Sequence, residues 1–89
     1  MANFELLQNL PNPFRDYTII TYFMPTKEHV TLSIFDVNGV LLVNLLREAK
    51  PGYNEIMIEN SMLENANGIL YYQLKTDDYL GTKKMIRIR

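Results

Sequence analysis

The sequence predicts an all-β fold, an antiparallel sandwich of about seven short strands, on three observations. Runs rich in β-branched and aromatic residues recur at spacings of roughly ten residues, turn-forming Asn, Asp, Gly and Pro fall between them, and several runs alternate apolar with polar side chains. Eighty-nine residues make one domain, and a chain of this size buries roughly 60–70% of the surface its unfolded form exposes. An apolar fraction of 47% and a charged fraction of 21% give it the balance of a globular protein with a thin core.

The first element is "LLQNLPNPF", Leu6 to Phe14. Proline fixes its own φ near about −65° and drives the preceding residue out of the helical region, so Asn9 to Phe14 is extended and turning. Pro11 and Pro13 have no N–H to donate, which suits a segment entering a sheet from its edge. Residues 1–14 therefore read as a stiff lead-in to a β domain, and 15–89 as the sandwich. Met1-Ala2 reads as an added start on an excised domain.

"YTIITYFMP", Tyr17 to Pro25, is a strand with apolar residues on both parities, so it is central or covered on its second face. "HVTLSIFD" alternates cleanly, with Val30, Leu32 and Ile34 on one face. Asn38-Gly39 follows, a pair that tolerates the positive φ angles of a type I′ hairpin turn, so Val40 to Leu46 is the return strand. Its pattern alone also permits a short helix; the turn decides for strand. "KPGYN" supplies the next turn, and "NEIMIEN" sets Ile56 and Ile58 against a wet face. "NSMLENANG" is a polar crossing loop with at most one helical turn at Met62 to Asn65. "GILYYQLKTDD" gives a strand with Leu70, Tyr72 and Leu74 on one face and a turn near Asp77-Asp78, and "YLGTKKMIRIR" a closing strand to the last residue. The inner faces are expected to carry Ile20, Tyr22, Val30, Leu32, Ile34, Ile56, Ile58, Leu70, Tyr72 and Leu74.

The chemistry on offer is sparse. Without cysteine there is no disulfide, thiolate nucleophile or cysteine metal site. His29 is the only histidine and reads as a surface residue, since a ligand or base needs partners. Ser33 and Ser61 lie outside any nucleophile-elbow sequence, and Asp36, Asp77 and Asp78 occupy ordinary turn positions without calcium-loop spacing. The glycines at 39, 52, 68 and 81 form no phosphate loop. Nine basic against ten acidic side chains leave no field for nucleic acid, and apolar runs of four residues or fewer leave no membrane-spanning segment. No catalysis, cofactor or metal is expected.

One asymmetry stands out: Lys83, Lys84, Arg87 and Arg89 crowd the last seven residues with no acid among them. Such a run is commonly a solvated strand face that discourages aggregation. An unpaired, basic, strand-forming tail is also something another protein can hold by its backbone.

Taken in order, "LLQNLPNPF", "TIITYFMP", "VTLSIFDVNG", "PGYNEIMIEN", "NGILYYQLKT" and "GTKKMIRIR" resemble the C-terminal sorting domain of cargo proteins of the type IX (Por) secretion system. The resemblance runs from about Leu6 to Arg89 and is carried best by Asn9 to Phe14, by Asp36-Val37-x-Gly39 and by Thr82 to Met85. It implies an immunoglobulin-like antiparallel β-sandwich at the end of a larger exported protein of Gram-negative bacteria, after an upstream cargo domain. It implies passage through the periplasm, recognition by the type IX secretion translocon and its shuttle proteins, removal by a sortase-like peptidase, and cargo that ends on the cell surface or secreted. The residues it points to for partner recognition are Pro11, Asn12, Pro13, Phe14, Gly39, Lys83, Lys84, Met85, Ile86, Arg87, Ile88 and Arg89. Two positions depart from the family pattern: Leu70 where an aromatic is common, and Arg89 where lysine is more usual. The alternative is a carbohydrate-binding or adhesive immunoglobulin-like module, with Tyr17, Ile19 and Phe23 forming an exposed patch with Phe35.

Overall fold

A computed structural model describes residues 3–89; Met1-Ala2, read above as an added start, lies outside the described residues. Seven strands follow one another: β1 (Glu5–Leu6), β2 (Tyr17–Met24), β3 (Glu28–Phe35), β4 (Leu41–Ala49), β5 (Gly52–Glu59), β6 (Gly68–Lys75) and β7 (Leu80–Arg87). They form a three-stranded sheet in the order β1-β2-β5 and a four-stranded sheet in the order β4-β3-β6-β7. Every neighbouring pair is antiparallel, and the whole is an immunoglobulin-like sandwich.

Alternation along the strands fills the space between the sheets. On β3, Val30, Leu32 and Ile34 are buried, and the register places Leu74 beside Leu32 and Tyr72 beside Ile34 on β6. On β2, Ile20 lies opposite Ile56 of β5. All ten residues expected in the core are buried, joined by Leu6, Phe14, Met24, Val43, Ala49, Leu63 and Met85. Burying apolar side chains from both sheets is what holds so small a domain together.

Several local expectations change. Only Gly39 of the Asn38-Gly39 pair has positive φ, at 81°, so the turn is not type I′. Asp36 organises a longer hairpin instead: its Oδ1 accepts from the Asn38 and Val40 amides, both at 2.9 Å, and its carbonyl accepts from Gly39 N–H at 3.0 Å. The extra residue is absorbed where Ile34 pairs Val43 but Phe35 pairs Leu41. The helical turn falls at Asn60–Met62 as one turn of 3₁₀ helix, earlier than the sequence suggested. The closing strand stops at Arg87, because its ladder partner Gly68 is the first residue of β6; Ile88 and Arg89 run past the sheet.

The aromatic patch does not form as one surface. Tyr17, Ile19 and Phe23 point outward from the three-stranded sheet, whereas Phe35 points outward from the four-stranded sheet on the opposite side of the sandwich. Phe23 meets Tyr53 of β5 instead, edge to face at 5.1 Å.

Candidate functional site: the lead-in seated on the closing strand

The two most distinctive pieces of the sequence, near its two ends, are brought together. After β1 the lead-in keeps its bonding to β2: Leu7 N–H donates to Thr21 O at 3.0 Å, and Leu10 and Ile19 exchange bonds of 3.0 and 2.8 Å. The Leu10–Pro11 and Asn12–Pro13 peptide bonds are cis, and over this stretch the chain leaves one sheet for the other. Phe14 then bridges β7 in parallel: its N–H donates to Ile86 O at 3.0 Å and its carbonyl accepts from Ile88 N–H at 2.8 Å. Asn12 Oδ1 accepts from Ile86 N–H at 3.0 Å, and Gln8 Nε2 donates to Lys84 O at 2.7 Å.

These contacts meet the outward edge of β7, the side that β6 does not use. The expected unpaired tail is therefore corrected: β6 holds one edge of β7, and Gln8, Asn12 and Phe14 hold groups of Lys84, Ile86 and Ile88 on the other. The Phe14 ring, 1% exposed, drops into the core beneath this junction.

A buried polar cluster holds the lead-in in place. Asn9 is fully buried; its N–H donates to Tyr72 Oη at 2.9 Å, and Tyr72 Oη–H donates to Leu7 O at 2.8 Å. Asn9 Nδ2 donates to Thr18 Oγ1 at 2.9 Å, and Thr18 Oγ1 donates to Pro11 O at 2.8 Å. Each polar group taken out of water thus finds a partner, which is the condition for burying it. Burial pushes the Tyr72 phenol up to about 12, against a smaller pull downward from the Asn9 N–H that bonds its oxygen. Burial also raises Tyr22, opposed by the positive charge of Arg47.

The residues singled out for recognition divide by face and depth. Pro11, Asn12 and Pro13 are exposed, whereas Phe14 and Met85 are buried. Lys83, Met85 and Arg87 alternate toward the interior of β7; Lys84, Ile86 and Ile88 alternate outward and are exposed. Lys84 lies beside Tyr71 and Ile86 beside Ile69, so the outer side of the closing strand is a mixed basic and apolar strip. Lys83 and Lys84 thus belong to opposite faces. Gly39 is exposed on the β3–β4 hairpin, with β6 between β3 and the closing strand.

Sequence reasoning missed Gln8, Thr18 and the hydroxyl of Tyr72. Tyr72 was legible as core from its parity, but the partner of its hydroxyl lies 63 residues away in sequence. The signal for Asn9 was the Asn-Leu-Pro-Asn-Pro-Phe stretch itself, where an asparagine precedes a segment unable to form a regular ladder. Among the described residues, no group of three or more His, Cys, Asp or Glu side chains could hold a metal ion.

The family described as "Secretion system C-terminal sorting domain" matches residues 10–89. Among solved structures, dimeric latent PorU from Porphyromonas gingivalis superimposes with a TM-score of 0.71 at 21% identity, over 99% of this chain and 10% of that one. The chain thus spans about a tenth of the length of that protein, and the likeness is one of fold. No curated protein matches the chain.

Proposed function

The chain belongs to the type IX secretion system C-terminal sorting domain family, and from that premise we propose that the seated lead-in and the outer strip of β7 are together what the machinery reads. Domains of this family are sorting signals that direct secretion across the outer membrane to the cell surface or the medium, and they are generally non-catalytic. The observation that carries the proposal is the pairing of Asn12 and Phe14 with Ile86 and Ile88, which joins the family's two most distinctive segments into one surface.

On this reading, residues 1–14 are the junction from an upstream cargo linker and 15–89 the sandwich proper. The translocon and its shuttle proteins meet the folded domain in the periplasm, and a sortase-like peptidase separates it from its cargo afterwards. Exposed Pro11, Asn12, Pro13, Lys84, Ile86, Ile88 and Arg89 make the contacts. Buried Phe14 and Met85 act by shaping the surface, since a partner of the folded domain does not reach them. Lys83 and Arg87 support the strand from its inner side, and Gly39 serves its hairpin.

The test is a reporter fused ahead of the domain in a bacterium that carries the machinery. Trimming Arg89, or Lys84→Glu, is expected to leave the melting curve close to that of the intact domain while trapping the reporter in the periplasm, because these side chains are exposed and the Ile88 bond to Phe14 is kept. Normal export of the folded, trimmed fusion counts against the strip as the recognition surface.

A further inference from the structure

Past the end of β7, a cavity of about 380 Å³ opens between the residue pair after the lead-in, the loop that carries the 3₁₀ turn, and the chain end. Three arginines line it: Arg15, Arg87 and Arg89. Asp16 and Glu64 line it too, yet the only ion pair among the described residues is Lys27–Glu48, far along the sequence from this group. Three cationic side chains therefore face one space, and none of the three lies within ion-pair distance of a carboxylate.

Arg87 is the fixed member. Its Nη1 donates to Glu64 O at 3.0 Å and to Ala66 O at 2.6 Å, and Glu64 adopts a left-handed backbone with φ of 53° at this point. Carbonyls orient a guanidinium but do not cancel its charge. The Nε of Arg87 is buried with no hydrogen-bond partner, so the protein holds this group in place without using all its donors. Arg15 and Arg89, both exposed, are free to close on whatever Arg87 attracts.

We propose that this cavity is a binding site for a phosphate group. A cation is repelled by the three arginines, and an uncharged ligand leaves the charges of Arg15 and Arg89 unmatched. A planar carboxylate offers two oxygens to three forks, Arg15 from the segment after the lead-in and Arg87 and Arg89 from the end of β7. A tetrahedral phosphate offers an oxygen to each, in the charge-assisted geometry that guanidinium favours. The volume admits a phosphate with part of the group it esterifies. The site shares Arg87 and Arg89 with the sorting reading but does not rest on it, and its test needs no secretion machinery.

The test is titration of the isotope-labelled domain with inorganic phosphate at constant ionic strength, followed by amide NMR. Saturable shifts are expected at Arg15, Asp16, Asn65 and Arg87 to Arg89. Arg15→Gln and Arg89→Gln, whose exposed side chains leave the melting curve unchanged, should each weaken binding by about tenfold, the value of one charge-assisted bond. Should either variant melt early, Arg15→Lys or Arg89→Lys takes its place, with a smaller loss expected. A second arm mixes the domain with phosphatidylcholine vesicles with and without phosphatidic acid. Sedimentation with phosphatidic acid that the variants lose identifies a lipid headgroup as the source; shifts with inorganic phosphate and no sedimentation identify a soluble phosphate. Shifts that do not saturate, that chloride reproduces at equal ionic strength, or that survive both substitutions overturn the site.

Discussion

Tyr72→Phe isolates the polar seat of the lead-in with the smallest possible change. The ring stays in the core, and only the hydroxyl that accepts from Asn9 N–H and donates to Leu7 O is lost. Asn9 N–H is buried and is left without a partner, whereas Leu7 O, at a half-buried residue, is partly rescued by water. A buried orphaned donor costs about 1–3 kcal/mol, so the variant should lose about that much stability in urea unfolding at neutral pH. The Asn9 amide should exchange its hydrogen much faster, while amides of β3 keep their protection relative to the global stability.

The pH dependence tests the burial of this hydroxyl in its neutral form. Folding raises the Tyr72 pKa from 10.0 to about 12, so the folded state holds the proton that the unfolded chain releases first. The contribution of the group is fully present below about pH 10 and is lost as pH rises through about 12, at roughly 1.4 kcal/mol per pH unit inside that window. The stability gap between the native domain and Tyr72→Phe should therefore shrink between those pH values. Tyr22 is also raised, but it is common to both proteins and cancels in the difference. A gap that stays constant, or widens, across the window refutes the burial of a neutral hydroxyl at Tyr72.

Other perturbations test the core and the junction. Leu32→Ala or Leu74→Ala, each fully buried and paired across β3 and β6, should cost about 2–5 kcal/mol in chemical denaturation. Phe14→Ala should cost about 3–5 kcal/mol and increase hydrogen exchange at Ile88, whose amide donates to the Phe14 carbonyl. In Gly81→Ala the new methyl meets Leu6 Cβ and a Phe4 ring carbon, both at 3.1 Å, so β1 must shift away from β7; a loss of about 1–3 kcal/mol is expected, with the largest chemical-shift changes at Phe4 and Leu6.

What could be read from the sequence follows from the range of the interactions involved. The strands, their facing and the ten core residues were legible because a period of two is written locally in each segment. The turn at Asn38-Gly39 was legible as a turn but not as to type, because the choice was made by Asp36, whose carboxylate takes two amide donors and leaves Asn38 with negative φ. The lead-in was legible as extended and donor-poor, since proline says so by itself. Its docking was not, because Gln8, Asn12 and Phe14 bond to groups more than 70 residues away, on a strand whose outer edge the sequence could only present as bare. Parity alone puts Lys83 and Lys84 on opposite faces of β7, but which of the two faces inward is fixed only by the sheet the strand joins.

The placement of the lead-in changes what the basic tail can do. A strand held on one edge alone can fray from its end, and a partner could capture it in extended form without opposition. Here the end of β7 is gripped from both sides, by β6 through Arg87 and by Phe14 through Ile86 and Ile88. Phe14 is in turn anchored by its buried ring, and the turn before it by the Asn9, Thr18 and Tyr72 cluster. To peel the tail, a partner must break the Phe14 bonds along with those to β6, and buried groups would lose their partners as it did so. The less costly target is the surface already presented: the outer strip of Lys84, Ile86 and Ile88 with the exposed prolines and Asn12 beside it. A lead-in that clamps the tail favours a reader of the folded domain over a reader of a loose strand.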